Sequence, residues 1–370
     1  MGAIKSIIKK LQLNKTAFLL LSLFSEKNVS IDADNARNIL EKTSAKPTGK
    51  CFIINNIEAS PTVDLQIIVP AYNVQDYLGE CIESILSQKT GYSYNITIVD
   101  DGSTDSTGEI ADRYLSNPLV TVIHQNNKGF SGARNTALKN IIGRYITFVD
   151  SDDILADGAI DAWLDVAFSK DAEIVEGGFY RFSDKENYIS YKYDAVRQVE
   201  ALGNLKGFAC GKVYKNSIFS NLAFPEGFWF EDSINSLIIY PKCKKAFVIP
   251  EVVYGYRLNP DSISSVAAVK PKCIDSYYIF ESLLEEAYNA GYNFNERYRT
   301  KFFYQSMTNY DRIRNMPQDV KEAVFVLTCE MYKKYFGSQA SKNQKWHKAF
   351  LNKDLGTYNL LCKFKISPEW

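Results

Sequence analysis

Five carboxylates in two short clusters are the residues of this chain best suited to chemistry. Asp100 and Asp101 open the run Asp100-Asp101-Gly102-Ser103, and Asp150, Asp152 and Asp153 fall within Asp150-Ser151-Asp152-Asp153. Carboxylates that close repel one another unless a cation or a hydrogen-bond donor shares them. The Asp150-x-Asp152 pair offers hard oxygen ligands, which suit Mg2+ or Mn2+ rather than zinc, and such an ion commonly bridges to phosphate oxygens. The stretch 126–135 (NNKGFSGARN) adds glycine flexibility and sets Arg134 near an expected helix start. Backbone N–H groups and that guanidinium could meet a base carbonyl or a phosphate. Each feature also has a plainer reading: an Asx-type turn capping the next helix, or an arginine pairing a surface acid. The chain has 2 histidines, His124 and His347. Neither stands in a nucleophile context, and HExxH is absent, so carboxylates are expected to do the proton and metal work. GxGxxG and GxxxxGK[ST] are both missing, which disfavours a dinucleotide fold and a P-loop.

The elements that must position these residues alternate from residue 65 onward. Leu65–Val69, Asn95–Val99, Leu119–Ile123, Arg144–Val149 and Ala172–Val175 read as short buried strands. Between them, helical spacing is expected over 77–86, 104–115, 131–140 and 154–168. Short apolar strands alternating with amphipathic helices imply a parallel sheet covered on both faces. Ligands of such sheets bind beyond the C-terminal strand ends. Pro70–Asn73, Asp100–Ser103 and Asp150–Asp153 all follow strands, so parallel topology alone brings the three to one edge. Residues 1–60 read as an N-terminal extension, helical over 4–24 and 33–42. Residues 61–265 read as the α/β domain. Residues 266–370 read as a helical C-terminal region, with helices expected over 271–290, 297–315 and 318–336, separated by Gly291 and Pro317.

The 43 Lys+Arg and 43 Asp+Glu of the 370 residues balance, which argues against a general nucleic-acid binder. No run of 18 apolar residues exists, and Ala17–Phe24 (AFLLLSLF) is short and lacks a cleavage signature, so neither a spanning helix nor a signal peptide is expected. The 7 cysteines include no CxxC pair, which fits a reducing cytoplasm. The balance hides an asymmetry. Residues 333–370 hold eight Lys and two acids, and the N-terminal 50 residues are also basic. With Trp346, Phe350, Phe364 and Trp370 interleaved, the basic ends could rest peripherally on an anionic membrane at its inner face; the plainer reading is solvated helical faces.

The motifs IIVPAYN, IVDDGSTDST, NKGFSGARN and YITFVDSDD, in that order and spacing, resemble the family 2 glycosyltransferases of the GT-A fold over about residues 65–265. The resemblance implies a Rossmann-like α/β domain that transfers a sugar from a nucleoside-diphosphate sugar, most commonly a UDP-sugar, to an acceptor hydroxyl with inversion. It further implies that Pro70, Ala71 and Tyr72, with Asn73, line the nucleoside pocket, and that Asp100 or Asp101 accepts a hydrogen bond from the base. Lys128, Arg134, Asp150 and Ser151 would join the nucleotide-sugar set, Arg134 near the base or ribose and Asp150 towards the ribose. Asp152 would bind the divalent metal, Mn2+ or Mg2+. Phe230-Glu231-Asp232 resembles the family's ED motif, with Asp232 as general base and Glu231 as the alternative. In the segment 256–264, Arg257 and Ser264 would close over the diphosphate. Cys210-Gly211 stands where many relatives carry an aromatic residue and Asn. The implied setting is bacterial cell-surface polysaccharide synthesis, such as capsule, with a glycan or lipid-linked acceptor. The rival readings are a non-catalytic nucleotide-sugar-binding subunit and a nucleotidyltransferase.

Overall fold

The computed structural model describes residues 14–21, 29–52, 57–183, 187–259, 269–337 and 340–368. The chain forms two compact units, Pro47–Ser262 and a second made of Met1–Lys46 with Ile263–Trp370. Two helices of the second unit come first in the chain, α1 (14–21) and α2 (Ala33–Thr43). The first unit then begins with strand β1 (Val63–Ala71), helix α3 (Leu78–Leu86), β2 (Tyr94–Asp100), α4 (Thr107–Asp112), β3 (Val120–His124), α5 (Gly129–Leu138) and β4 (Gly143–Phe148). It continues through β5 (Ile154–Leu155), α6 (Ala159–Lys170), β6 (Ile174–Phe182), β7 (Asn187–Tyr191), β8 (Arg197–Val199), β9 (Lys212–Lys215) and β10 (Ala246–Arg257).

These strands make one mixed sheet of order β3-β2-β1-β4-β9-β6-β10-β5, with β7 beside β6 and β8 beside β10. The block β3-β2-β1-β4 is parallel, as the alternation of strands and helices requires. Leu65, Ile67 and Val69 are fully buried in its centre, each contributing about 1.5–3 kcal/mol by leaving water. The parallel run does not extend to the fifth expected strand. β9 inserts antiparallel between β4 and β6. A four-residue strand made from sequence-distant chain carries no periodicity of its own, so sequence alone does not mark it.

Two expected helices are shorter than their spacing suggests. Only Thr107–Asp112 of 104–115 is helical, because the Asp105 carboxylate accepts the Thr107 N–H at 2.9 Å and holds the preceding residues in a turn. In 154–168 the chain first forms β5, paired antiparallel with β10, and α6 starts only after Gly158 at φ 73. The cause is Asp153, which accepts the Arg257 N–H at 2.7 Å and the Tyr254 hydroxyl at 2.7 Å and so draws β5 onto β10.

The second unit contains α7 (Asp275–Asn289), α8 (Glu296–Arg312), α9 (Gln318–Phe336), α10 (Gln344–Leu351) and α11 (Leu355–Lys363). Here the expectation that Trp346 and Phe350 lie among lysines on a surface is corrected. Trp346 is 1% exposed and Phe350 0%. On α10 they fall on one face and stack against Phe303 of α8, at ring separations of 5.6 and 5.8 Å. The apolar stripe of an amphipathic helix is buried in the unit's core, leaving Lys348 outside. Phe364 is half-buried. Trp370 lies outside the described residues.

Candidate functional site

The three polar clusters meet at the C-terminal edge of the parallel block. Ala71 is paired with Asp100 across β1 and β2, and Val149 donates to Ile68 at 3.0 Å, so the ends of β1, β2 and β4 are level. The turn after β1 is laced to the turn after β2. Asn73, at φ 50, donates its N–H to Ser103 Oγ at 3.1 Å and accepts the Thr104 N–H at 2.8 Å. A left-handed residue is tolerated here because asparagine visits that region more readily than most side chains. Pro70 and Ala71 are buried in β1, while Tyr72 projects, 45% exposed.

Asp100 and Asp101 are both buried, and each is already engaged. Asp100 accepts the Ser103 N–H at 3.1 Å through Oδ1 and faces His124 Nδ1 at 2.9 Å through Oδ2. Burial opposes its charge, but the hydrogen bonds from Ser103 and His124 outweigh that and lower its pKa. Asp101 Oδ1 accepts from the Gln125 side chain at 2.6 Å and from the Lys128 N–H at 2.9 Å. The structure thus brings the backbone of Lys128 to this turn, with its side chain exposed. Gly102 is required: a Cβ there would stand 2.9 Å from Asn127 N, at φ 74.

Arg134 lies on α5, 3% exposed. Its guanidinium is not tied to the Asp100–Asp101 turn. It donates through Nη1 to Glu231 at 2.5 Å and through Nη2 to Asp150 at 2.9 Å, with Phe130, Phe148 and Phe224 around it. Burial disfavours its charge, but Glu231 and Asp150 more than offset this and raise its pKa. Removing one partner of such a buried pair typically costs about 3–5 kcal/mol. Arg134 therefore locks the loop after β4 to the loop carrying Glu231 and Asp232. Its Nε is buried without a hydrogen-bond partner among the described residues. Phe230, just before Glu231, sits at φ 67. A bulky residue there is a true outlier, of the kind that clusters at functional sites.

The Asp150–Asp153 loop divides its carboxylates by role. Asp150 accepts from Arg134 and, through Oδ2, from the Cys210 thiol at 3.1 Å. Burial, then the charge of Asp150, push the Cys210 pKa up, so the thiol stays a donor. Asp153 is an internal anchor; burial first, then Asp150 and Asp152, raise its pKa. Ser151 is buried. Asp152 is half-buried, accepts from Asn259 Nδ2 at 3.3 Å, and has its pKa raised by burial and by Asp150. Arg257 is held at the same loop. Its Nε donates to Asp152 O at 2.7 Å, its Nη2 to Glu80 at 2.5 Å, and its guanidinium packs on Phe182 and Tyr77. Ser264 lies outside the described residues.

A divalent cation such as Mg2+ or Mn2+ needs oxygen donors brought close together. Among the described residues no three His, Cys, Asp or Glu side chains form a closed cage. Asp152 instead offers a hard oxygen in a cluster crowded with negative charge. That fits Mg2+ or Mn2+ held by one or two carboxylates and completed by phosphate oxygens and water.

Sequence reading missed four partners here: Glu80 on Arg257, Cys210 on Asp150, Tyr254 on Asp153, and Asn259 on Asp152. Their separations run from 60 to 177 residues, and no local pattern signals contacts at such range.

Residues 66–228 match the family described as Glycosyl transferase family 2. The chain is 34% identical over 220 residues to Glycosyltransferase GlyA of Streptococcus pneumoniae serotype 4 (strain ATCC BAA-334 / TIGR4), covering 55% of this chain and 32% of GlyA. It is 31% identical over 246 residues to Glycosyltransferase GlyG of the same organism, covering 61% of this chain and 81% of GlyG. The chain thus spans about a third of the length of the one and four fifths of the other. Among solved structures, S. aureus TarS 1–349 in complex with UDP-GlcNAc shares the fold, with a TM-score of 0.55 at 18% identity over 82% of this chain and 91% of that chain.

Proposed function

The chain belongs to glycosyl transferase family 2, and from that premise we propose that it moves a sugar from a nucleoside-diphosphate sugar to an acceptor hydroxyl, with inversion at the anomeric carbon. The observation that carries this reading is the Arg134 bridge. One buried guanidinium joins Asp150, beside the Asp152 carboxylate, to Glu231, beside Asp232. A donor-diphosphate end and an acceptor end are thereby held together at one strand edge. A uridine donor is supported by the TarS complex with UDP-GlcNAc.

Each residue then has one task. Tyr72, Asn73 and the Asp100–Asp101 turn receive the nucleoside, with Lys128 and Ser151 beside them. Asp152 would hold Mn2+ or Mg2+, which when bound neutralises charge on the diphosphate. Arg257 adds a fixed positive charge beside that group. The unpartnered Nε of Arg134 is a ready donor to a donor-sugar or phosphate oxygen. Asp232 takes the proton of the acceptor hydroxyl as the new bond forms, while Glu231 stays bound to Arg134. One displacement without a covalent intermediate inverts the anomeric centre. Titration calorimetry with UDP tests the site. Binding is expected, tighter with Mn2+ than in EDTA, and no heat with either UDP or GDP would remove the reading.

The setting we propose is cell-surface glycan synthesis in the cytoplasm, with a lipid-linked or glycan acceptor. Among the described residues no helix is long and apolar enough to cross a membrane. Peripheral contact would rest on exposed lysines of the second unit, such as Lys342, Lys348 and Lys363. Lys334, Lys353 and Lys365 are already in ion pairs with Glu285, Glu330 and Asp311. Each remaining lysine contributes about 1 kcal/mol near an anionic leaflet. Sedimentation with anionic vesicles is expected to fall as salt rises, and to be lost when Lys342, Lys348 and Lys363 become Glu. Equal recovery with neutral vesicles would contradict it.

A further inference from the structure

His124 ends β3, next to the turn that receives the nucleoside in the reading above. Its ring lies between two carboxylates: Nδ1 is 2.9 Å from Asp100 Oδ2, and Nε2 is 3.0 Å from Asp112 Oδ1. An ionised carboxylate only accepts hydrogen bonds, and a neutral imidazole has a single N–H. Only the doubly protonated ring satisfies both contacts. Asp100, on β2, and Asp112, on α4, are the charged groups that face it.

The contact is tied to the turn through Asp100. Asp100 spends its other oxygen on the Ser103 N–H, and its backbone carbonyl accepts the Gln125 N–H at 3.0 Å. Gln125 in turn holds Asp101 through its side chain. The first turn of α4 is fitted to the same point: a Cβ on Gly108 would stand 3.0 Å from Asp100 Oδ2. Loss of the His124 proton would leave a ring lone pair facing a carboxylate oxygen, and β2, β3 and α4 would lose a shared anchor.

We propose that His124 is a positioning residue for the nucleoside end of the site: as an imidazolium it clamps Asp100 to Asp112 and so fixes the Asp100–Ser103 turn against which the base is bound. The clamp rests on the nucleotide reading of this edge. The ring is about half exposed, so it exchanges its proton with solvent readily. Donation to Asp100 and then to Asp112 raises its pKa above the ordinary 6.5. A raised histidine pKa gives a clamp that is complete below 6.5 and lost as pH rises through the folded-state value.

Two measurements on the full chain test this. The imidazole carbon-bound protons are followed by NMR against pH, the His124 signal being the one absent from His124→Gln. UDP affinity is measured by calorimetry across the same range, for wild type, His124→Gln and Asp112→Asn, with folding checked by thermal melts. His124 is expected to titrate above 6.5, and the Asp112→Asn variant to bring that midpoint down. Wild-type affinity for UDP should weaken as pH rises through the His124 midpoint, and in Asp112→Asn at the correspondingly lower pH. His124→Gln should bind UDP about fivefold more weakly at low pH, the size of one hydrogen bond, and lack that step. Titration at or below 6.5, or a His124→Gln variant with wild-type affinity and pH dependence, overturns the clamp. If UDP and GDP fail to bind at any pH while His124 still titrates high and shifts in Asp112→Asn, the clamp stands and the nucleotide reading falls.

Discussion

Asp232→Asn is expected to lower turnover of the donor-saturated enzyme by about a hundredfold to ten-thousandfold, the range a positioned general base contributes. The substitution keeps the shape and removes the proton acceptor. Donor affinity should stay near wild type, because the nucleoside and diphosphate contacts we propose are at the ends of β1, β2 and β4. Glu231 makes the sharper contrast. Its carboxylate is held by the buried Arg134, so Glu231→Gln should lower thermal stability as well as activity. Steady-state kinetics at saturating donor, paired with UDP calorimetry, separate the two. If Asp232→Asn lost donor affinity while turnover from the saturated enzyme stayed normal, Asp232 would be a binding residue and Glu231 the better base.

Asp152→Asn is the second large effect. It would remove one charged oxygen from the proposed cation site and is expected to reduce activity by about a hundredfold or more, since charge developing on the departing diphosphate would go uncompensated. The fold should survive. Asp152 stands beside Asp150 and Asp153, and neutralising one of three crowded carboxylates relieves repulsion. Its melting temperature should equal or slightly exceed that of wild type. EDTA should silence the wild-type enzyme, and added Mn2+ should restore it but not rescue Asp152→Asn. Unchanged turnover in EDTA would remove the metal from the account.

The parallel block and its convergent edge were legible because each β-strand there is a short, mostly apolar run closed by polar residues. Once such strands are parallel, their C-terminal ends must share one side. The helices from Asp275 to Phe336 were legible for the related reason that Gly291 and Pro317 punctuate them. The antiparallel insertion of β9 was hidden, because four residues carry no periodicity. Carboxylate positions could be read, but not their division of labour. Asp150, Asp152 and Asp153 look alike in sequence. Only their partners Arg134, Asn259 and Tyr254 tell them apart, as a bridge, a half-buried carboxylate and an internal anchor. The tail misled for a physical reason: alternating lysines and aromatics suit both a membrane face and a buried amphipathic helix. Three-dimensional packing decided for the second at Trp346 and Phe350.

Sugar transfer from a nucleotide donor at this edge leaves a characteristic product. The direct measurement is product analysis after incubation with UDP- and GDP-sugars in Mn2+, run beside Asp232→Asn. Nucleoside diphosphate is expected to be released with one donor family, to rise when an acceptor glycan is supplied, and to fall by orders of magnitude in the variant. Pyrophosphate as the product would make the protein a nucleotidyltransferase. Tight UDP binding with no product from any donor would make it a binding subunit, and either result would rule out sugar transfer by this chain.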